Sequence, residues 1–174
     1  MASQTYSLPK LPYRLNQAEA TSSSNLVHHL THQQAIKFNA GGHMNRTLFW
    51  ESMTPASSAK AGPEGKLADA INARWGNIDS FKAAFEAVAL SLQGNGSTWL
   101  VKDPEISILE FMTSKDQDVV PAGKIPMLGL DMWQHAYYLQ YFNNKKSYAQ
   151  RWLAVVDWTA AEKRFQAGDL GDVY

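Results

Sequence analysis

The chain has 174 residues, enough for one domain with at most two lobes, and 45% of them are hydrophobic, enough for a packed core. Sixteen basic side chains balance 16 acidic ones, so charge gives no overall pull toward nucleic acid or an anionic membrane. No cysteine is present, which excludes disulfides, thiolate catalysis, zinc knuckles and iron–sulfur clusters. Six Trp and seven Phe favour a folded protein over a disordered one. No apolar run approaches the roughly 18 residues of a membrane span. Residues 1–10 carry neither a secretory signal nor an Arg-rich transit pattern. The expected location is therefore the cytoplasm, or the mitochondrion if the chain is already processed.

In chain order, residues 17–25 read as loop. Residues 26–50 follow helical steps through Leu26, Leu30, Gln33 and Ile36, with Gly41 and Gly42 weakening the middle. Residues 55–65 form a small-residue connector, and Pro63 suits the first turn of the helix carrying Leu67, Ile71 and Trp75 and ended by Gly76. Asn77 or Asp79 caps a third helix whose core face is Phe81, Phe85, Val88 and Leu92. Three strands follow at 98–102, 106–112 and 125–130, the first two joined by a turn at Asp103-Pro104. A helix is expected from about Met132 to Phe142. Ser147-x-x-Gln150 reads as the capping box of another, with Tyr148, Trp152 and Val155 on one face. Asp157 caps the last, which carries Trp158, Ala161 and Phe165. The order of helices, small antiparallel three-stranded sheet and helices predicts an α+β fold. The expected division is an N-terminal helical segment, 1–62, and a C-terminal α+β domain, 63–174.

Asp131 and His135 lie four apart, so a carboxylate at a strand end and an imidazole one helical turn on can converge on one ion. Such a mixed oxygen and nitrogen pair suits manganese or iron. The spacing alone is weak evidence and more readily describes an N-cap Asp and a surface His. Its context is more specific. Asp131-Met132-Trp133-Gln134-His135-Ala136-Tyr137-Tyr138 and Asn39-Ala40-Gly41-Gly42-His43-Met44-Asn45-Arg46 resemble two motifs of the manganese/iron superoxide dismutase family, D-x-W-E-H-A-Y-Y and N-G-G-G-H-x-N-H. The resemblance extends through Leu8-Pro9-x-Leu11-Pro12-Tyr13, Phe49-Trp50, Asp116-Gln117-Asp118 and Trp152.

The resemblance implies metal ligands at Asp131 and His135, with Gln117, Trp133 and Tyr138 in the surrounding catalytic machinery. Gln117, with Gly42 in the helix, resembles the manganese branch, where a Gln hydrogen-bonds the metal-bound solvent. The implied reaction is dismutation of superoxide to oxygen and hydrogen peroxide, with Mn or Fe as cofactor, superoxide as partner and no nucleic acid or membrane.

The chain departs from the family pattern at four places. Where the family has a helical hairpin with L-H-H-x-K-H-H-x-x-Y, Tyr13-Arg14-Leu15-Asn16 runs almost directly into Gln17-Ala18-Glu19. Arg46 stands where the family has a His ligand; a guanidinium has no lone pair to give a metal. At about 5 Å it would repel a divalent ion by about 7 kcal/mol at an effective dielectric of 20. Gln134 replaces a Glu that in the family reaches a partner subunit's ligand, and Ser97 replaces a Trp lining the site.

Two of four family ligands remain, so catalysis is expected to be impaired or lost. His28, His32 and His43 are candidate replacements, although each also reads as an ordinary helix residue. Arg46 is expected to pair with Asp131 in place of the ion. The alternatives are a non-catalytic paralogue with a structural or interaction role, and an exon-skipped product. Loss of the hairpin also predicts uncovered apolar surface and a homo-oligomer.

Overall fold

The computed structural model describes the backbone over residues 23–167 and the side chains over 32–167. Contacts divide the chain into two compact units, Met1–Ile36 and Lys37–Tyr174. The described part of the first unit is helical, and its side chains from 32 to 36 are exposed.

Among the described residues the element order is α1 (Ser23–Glu51), α2 (Gly65–Trp75), α3 (Ile78–Ser91), β1 (Gly96–Lys102), β2 (Leu109–Lys115), β3 (Ile125–Asp131), α4 (Gln134–Tyr141), α5 (Lys145–Leu153) and α6 (Trp158–Gln166). The sheet is antiparallel in the order β2-β1-β3. The α+β architecture read from the sequence is the one observed. The loop expected at 17–25 falls outside the described residues up to 22, and 23–25 are helical.

β1 is central, and its burial on both faces explains its apolar run. Trp99 pairs across the sheet with Gly129. A Cβ at Gly129 would stand 2.2 Å from the Trp99 ring, so only glycine admits the indole there. The ring's Nε1 donates to Ser114 Oγ at 2.9 Å, which satisfies its buried N–H.

β2 begins three residues later than the apolar pattern indicates. Asp103 Oδ1 accepts the N–H groups of Glu105 and Ile106 at 3.0 and 3.4 Å, and Ser107 takes a left-handed φ of 53°. This turn chemistry consumes Ile106 and Ile108, leaving them 61% and 43% exposed. Asn77, not Asp79, caps α3 by accepting from Ser80 N. The buried face of α3 is Phe81, Phe85, Ala89 and Leu92, with Val88 only half-buried. The capping box at Ser147 is not formed: Asn144 caps α5 and accepts the N–H of Ser147 at 3.0 Å. Asp157 caps α6 as expected, taking Thr159 and Ala160 N–H groups.

An aromatic cluster joins the helices to the sheet. Phe81 lies 5.9 Å from Trp158 and 5.3 Å from Phe111, and Phe85 stacks on Trp152 at 5.6 Å. The stack fixes α5 against α3. The end of α1 is fixed separately, against β3 and both ends of α6. Ser52 Oγ accepts from Gly129 N, Ser52 O accepts from Asp157 N, and Arg164 donates to Glu51 and to the Met127 carbonyl.

α1 runs unbroken through Gly41 and Gly42, which the sequence presents as a weak point. Their lack of side chains is a packing requirement. A Cβ on Gly41 would meet the Gln117 carbonyl oxygen at 2.0 Å, and one on Gly42 the Gln117 side chain at 3.1 Å. Ala normally favours a helix interior over Gly by about 1 kcal/mol. Here no rotamer change relieves a clash with backbone, and overpacking of this kind costs about 1–3 kcal/mol. Gly41→Ala is therefore expected to lower the urea midpoint despite its better helix propensity; an unchanged or raised midpoint would show that the helix stands off from the 116–118 turn.

Candidate metal centre

Asp131 ends β3, and α4 starts three residues on, so the predicted helix from about Met132 begins later than expected. The delay comes from sheet pairing, which carries through Asp131 opposite Ser97. Three contacts hold Asp131 in place. Its Oδ1 accepts Trp133 N–H at 2.8 Å, its Oδ2 lies 3.2 Å from His135 Nε2, and its backbone carbonyl accepts the Tyr148 hydroxyl at 2.8 Å. The carboxylate is 9% exposed and the imidazole 51%.

The structure thus brings Asp131 and His135 together as the spacing predicts. Trp133 sits beside them, its ring 5.6 Å from that of His135 and its Nε1 donating to Asp116 O at 3.3 Å. Gln117 is buried against Gly42 and shares that contact point with the Arg46 guanidinium. Tyr138 is 58% exposed, packs edge-on to Phe142, and does not line the cavity at Asp131. His43 is exposed on α1 and also lies outside that lining. The side chain of His28 falls outside the described residues, and His32 belongs to the other compact unit.

A cavity of about 700 Å³ opens between α1, α4 and α5, with Arg46, Asp131 and His135 in its lining. The expected ion pair between Arg46 and Asp131 does not form. The carboxylate turns to His135, and the described ion pairs include none between Asp131 and Arg46. Burial pushes the Asp131 carboxyl above its usual range. The Trp133 N–H, His135 and the Arg46 charge oppose this and lose. Burial likewise pushes the Tyr148 hydroxyl far up, so it remains a proton donor to the Asp131 carbonyl.

Asp131 and His135 would be the residues to hold an ion here, with one oxygen and one nitrogen donor between them. A three-donor set, such as two imidazoles and a carboxylate, is a common minimum for iron. Among the described residues no group of three His, Cys, Asp or Glu side chains is placed to hold an ion. The described donors therefore do not complete a manganese or iron site.

Tyr148 and Trp152 carry more of the site than the sequence indicates. Both read as core residues of one helix face. A buried Tyr hydroxyl needs a partner, and that need is the only sequence signal that Tyr148 supports a polar group.

The structure is an α+β protein in which a desolvated carboxylate meets an imidazole at the β3–α4 junction beside a small antiparallel sheet. The family of iron/manganese superoxide dismutase C-terminal domains matches residues 63–164. The chain is 41% identical to the mitochondrial manganese superoxide dismutase of Neurospora crassa, over 93% of this chain and 81% of the relative. It is 40% identical to that of Aspergillus fumigatus, over 97% and 96%. It is 36% identical to a manganese/iron superoxide dismutase of Propionibacterium freudenreichii, over 92% and 96%. The chain belongs to the iron/manganese superoxide dismutase family, in its manganese branch.

The raised Asp131 carboxyl has a sign that can be tested. Relative to the unfolded chain, its contribution to stability is fully present below the ordinary value of 3.8 and is lost as pH rises through the raised folded value. In metal-free protein, Asp131→Asn, which keeps the acceptor for Trp133 N–H, is expected to exceed the wild type in urea stability at pH 7. The difference should shrink as pH falls toward 4, at about 1.4 kcal/mol per unit of pKa shift. A variant less stable at pH 7 would show that ionised Asp131 is fully compensated by its neighbours.

Proposed function

We propose that this chain retains the superoxide dismutase fold and half of its metal site, and that its turnover of superoxide is impaired or lost. In this reading Asp131 and His135 are the remaining metal donors for manganese or iron, with Gln117 and Trp133 beside them. Tyr138 is the third member of that surrounding set, placed on α4 outside the cavity lining. The observation that carries the reading is the cavity wall: Arg46, which cannot ligate, lines it together with Asp131 and His135. The manganese and manganese/iron relatives support the choice of metal. The start of the family match at residue 63 supports a boundary between 62 and 63. The mitochondrial names of the fungal relatives favour the mitochondrial alternative over a cytoplasmic location.

Elemental mass spectrometry after dialysis against a mild chelator tests this directly. Metal well below one Mn or Fe per chain is expected, with dismutase activity correspondingly small. Arg46→His should raise the bound manganese, because it restores an imidazole on the cavity wall. One firmly held ion per wild-type chain, with dismutase turnover, would overturn the reading.

A second reading, a non-catalytic interaction protein that self-associates, is favoured by surface composition. Trp50, Leu139 and Phe142 are 67%, 89% and 68% exposed, more apolar surface than solvation favours. Light scattering at micromolar concentration should then report a dimer or larger species. A monodisperse monomer would remove this reading.

A further inference from the structure

The cavity at Asp131 is far larger than a metal ion or a diatomic oxygen species requires. Its volume of about 700 Å³ lies in the range of small-molecule sites, roughly 300–1,000 Å³. It lies wholly within the Lys37–Tyr174 unit. Its shape follows from helix periodicity. Residues 46, 49, 50 and 53 of the α1 side face residues 148, 151, 152 and 155 of the α5 side, the same i, i+3, i+4, i+7 stripe on each.

Those stripes are aromatic. Phe49, Trp50, Tyr141, Tyr148 and Trp152 all line the space. Each stripe also contributes one arginine, Arg46 and Arg151. Both are exposed, and neither guanidinium forms an ion pair or hydrogen bond with another described residue. Two cations against the single carboxylate of Asp131 leave the wall with one net positive charge.

We propose that this cavity binds an organic monoanion with an aromatic body, its acid group held by Arg46 and Arg151 and its rings lying among the aromatic walls. Charge complementarity selects the anion. Guanidinium groups bind carboxylates and sulfonates through charge-assisted hydrogen bonds. Flat aromatic walls select the body, because stacked and edge-on ring contacts add to area burial. This reading goes beyond dismutation and does not require a metal at Asp131.

The test uses anilinonaphthalene sulfonate as the anionic probe and N-phenyl-1-naphthylamine as its uncharged counterpart, each titrated into the purified chain by fluorescence. One saturable sulfonate site per chain is expected. Arg46→Met/Arg151→Met, at two exposed positions and with the apolar stems kept, should weaken sulfonate binding about tenfold or more. The same variant should leave the uncharged probe within about twofold. Ala154→Trp, which projects a ring into the cavity mouth, should weaken both probes. Circular dichroism verifies that each variant keeps its helix content. Several sulfonate sites per chain, equal loss of both probes in the double arginine variant, or full binding in Ala154→Trp would each overturn the assignment.

Discussion

The Asp131 carboxylate is taken out of water by the fold and given back only part of what it loses. β3 carries it into the interior through its pairing with Ser97, and the Tyr148 hydroxyl holds its backbone carbonyl from α5. α5 is itself fixed by the stacking of Trp152 on Phe85. The position of the carboxylate is thus set by the aromatic core and does not depend on an ion. Its neighbours offer one backbone N–H and one imidazole, and burial outweighs them. A carboxylate in that condition favours a cation or a proton at its free lone pairs.

Arg46 is positioned by a different chain of contacts. α1 approaches the 116–118 turn at Gly41 and Gly42, and Asn45 Nδ2 donates to the Asp118 carbonyl at 3.1 Å. One residue later, Arg46 is committed to the cavity side. Its charge lowers the Asp131 carboxyl, yet the two do not pair. The reason is geometric competition. His135, in the first turn of α4 and four residues after Asp131, takes Oδ2 through a local contact with little chain entropy to lose, while the guanidinium stays exposed.

The sequence was legible where one local signal acted alone. Asp157 capping α6, Gly76 ending α2 and the Phe81 and Phe85 core face needed no tertiary information. It misled where two signals competed. At 103–108 the apolar Ile106 and Ile108 favoured a strand, while Asp103 bonded the backbone into a turn, and the turn prevailed. At 144–150 the Ser147 capping pattern lost to Asn144, which lies one turn nearer the preceding helix end. Gly41 and Gly42 illustrate a third case, in which propensity marked a weakness but a distant backbone supplied the reason. In the site, the Asp131–His135 pair was legible from the motif around it and not from spacing alone, whereas the places of Tyr148 and Arg151 in the cavity lining depend on which helix faces meet. Periodicity alone cannot specify that.

The fold is held by contacts in the sheet and core, such as Trp99 over Gly129 and Trp152 on Phe85. What departs from the family pattern, Arg46, Gln134 and Ser97, lies at or near the site and does little to hold the fold. Arg46 and Gln134 are exposed, and Ser97 fits within the sheet at 4% exposure without crowding Asp131. At Arg46 and Gln134 such changes cost little folding free energy, because exposed positions outside caps and cores usually change stability by less than about 0.5 kcal/mol. At the site, Arg46 places a guanidinium in the same cavity lining as Asp131 and His135. Because sheet and core packing hold the fold, the fold alone does not fix the chemistry of that site.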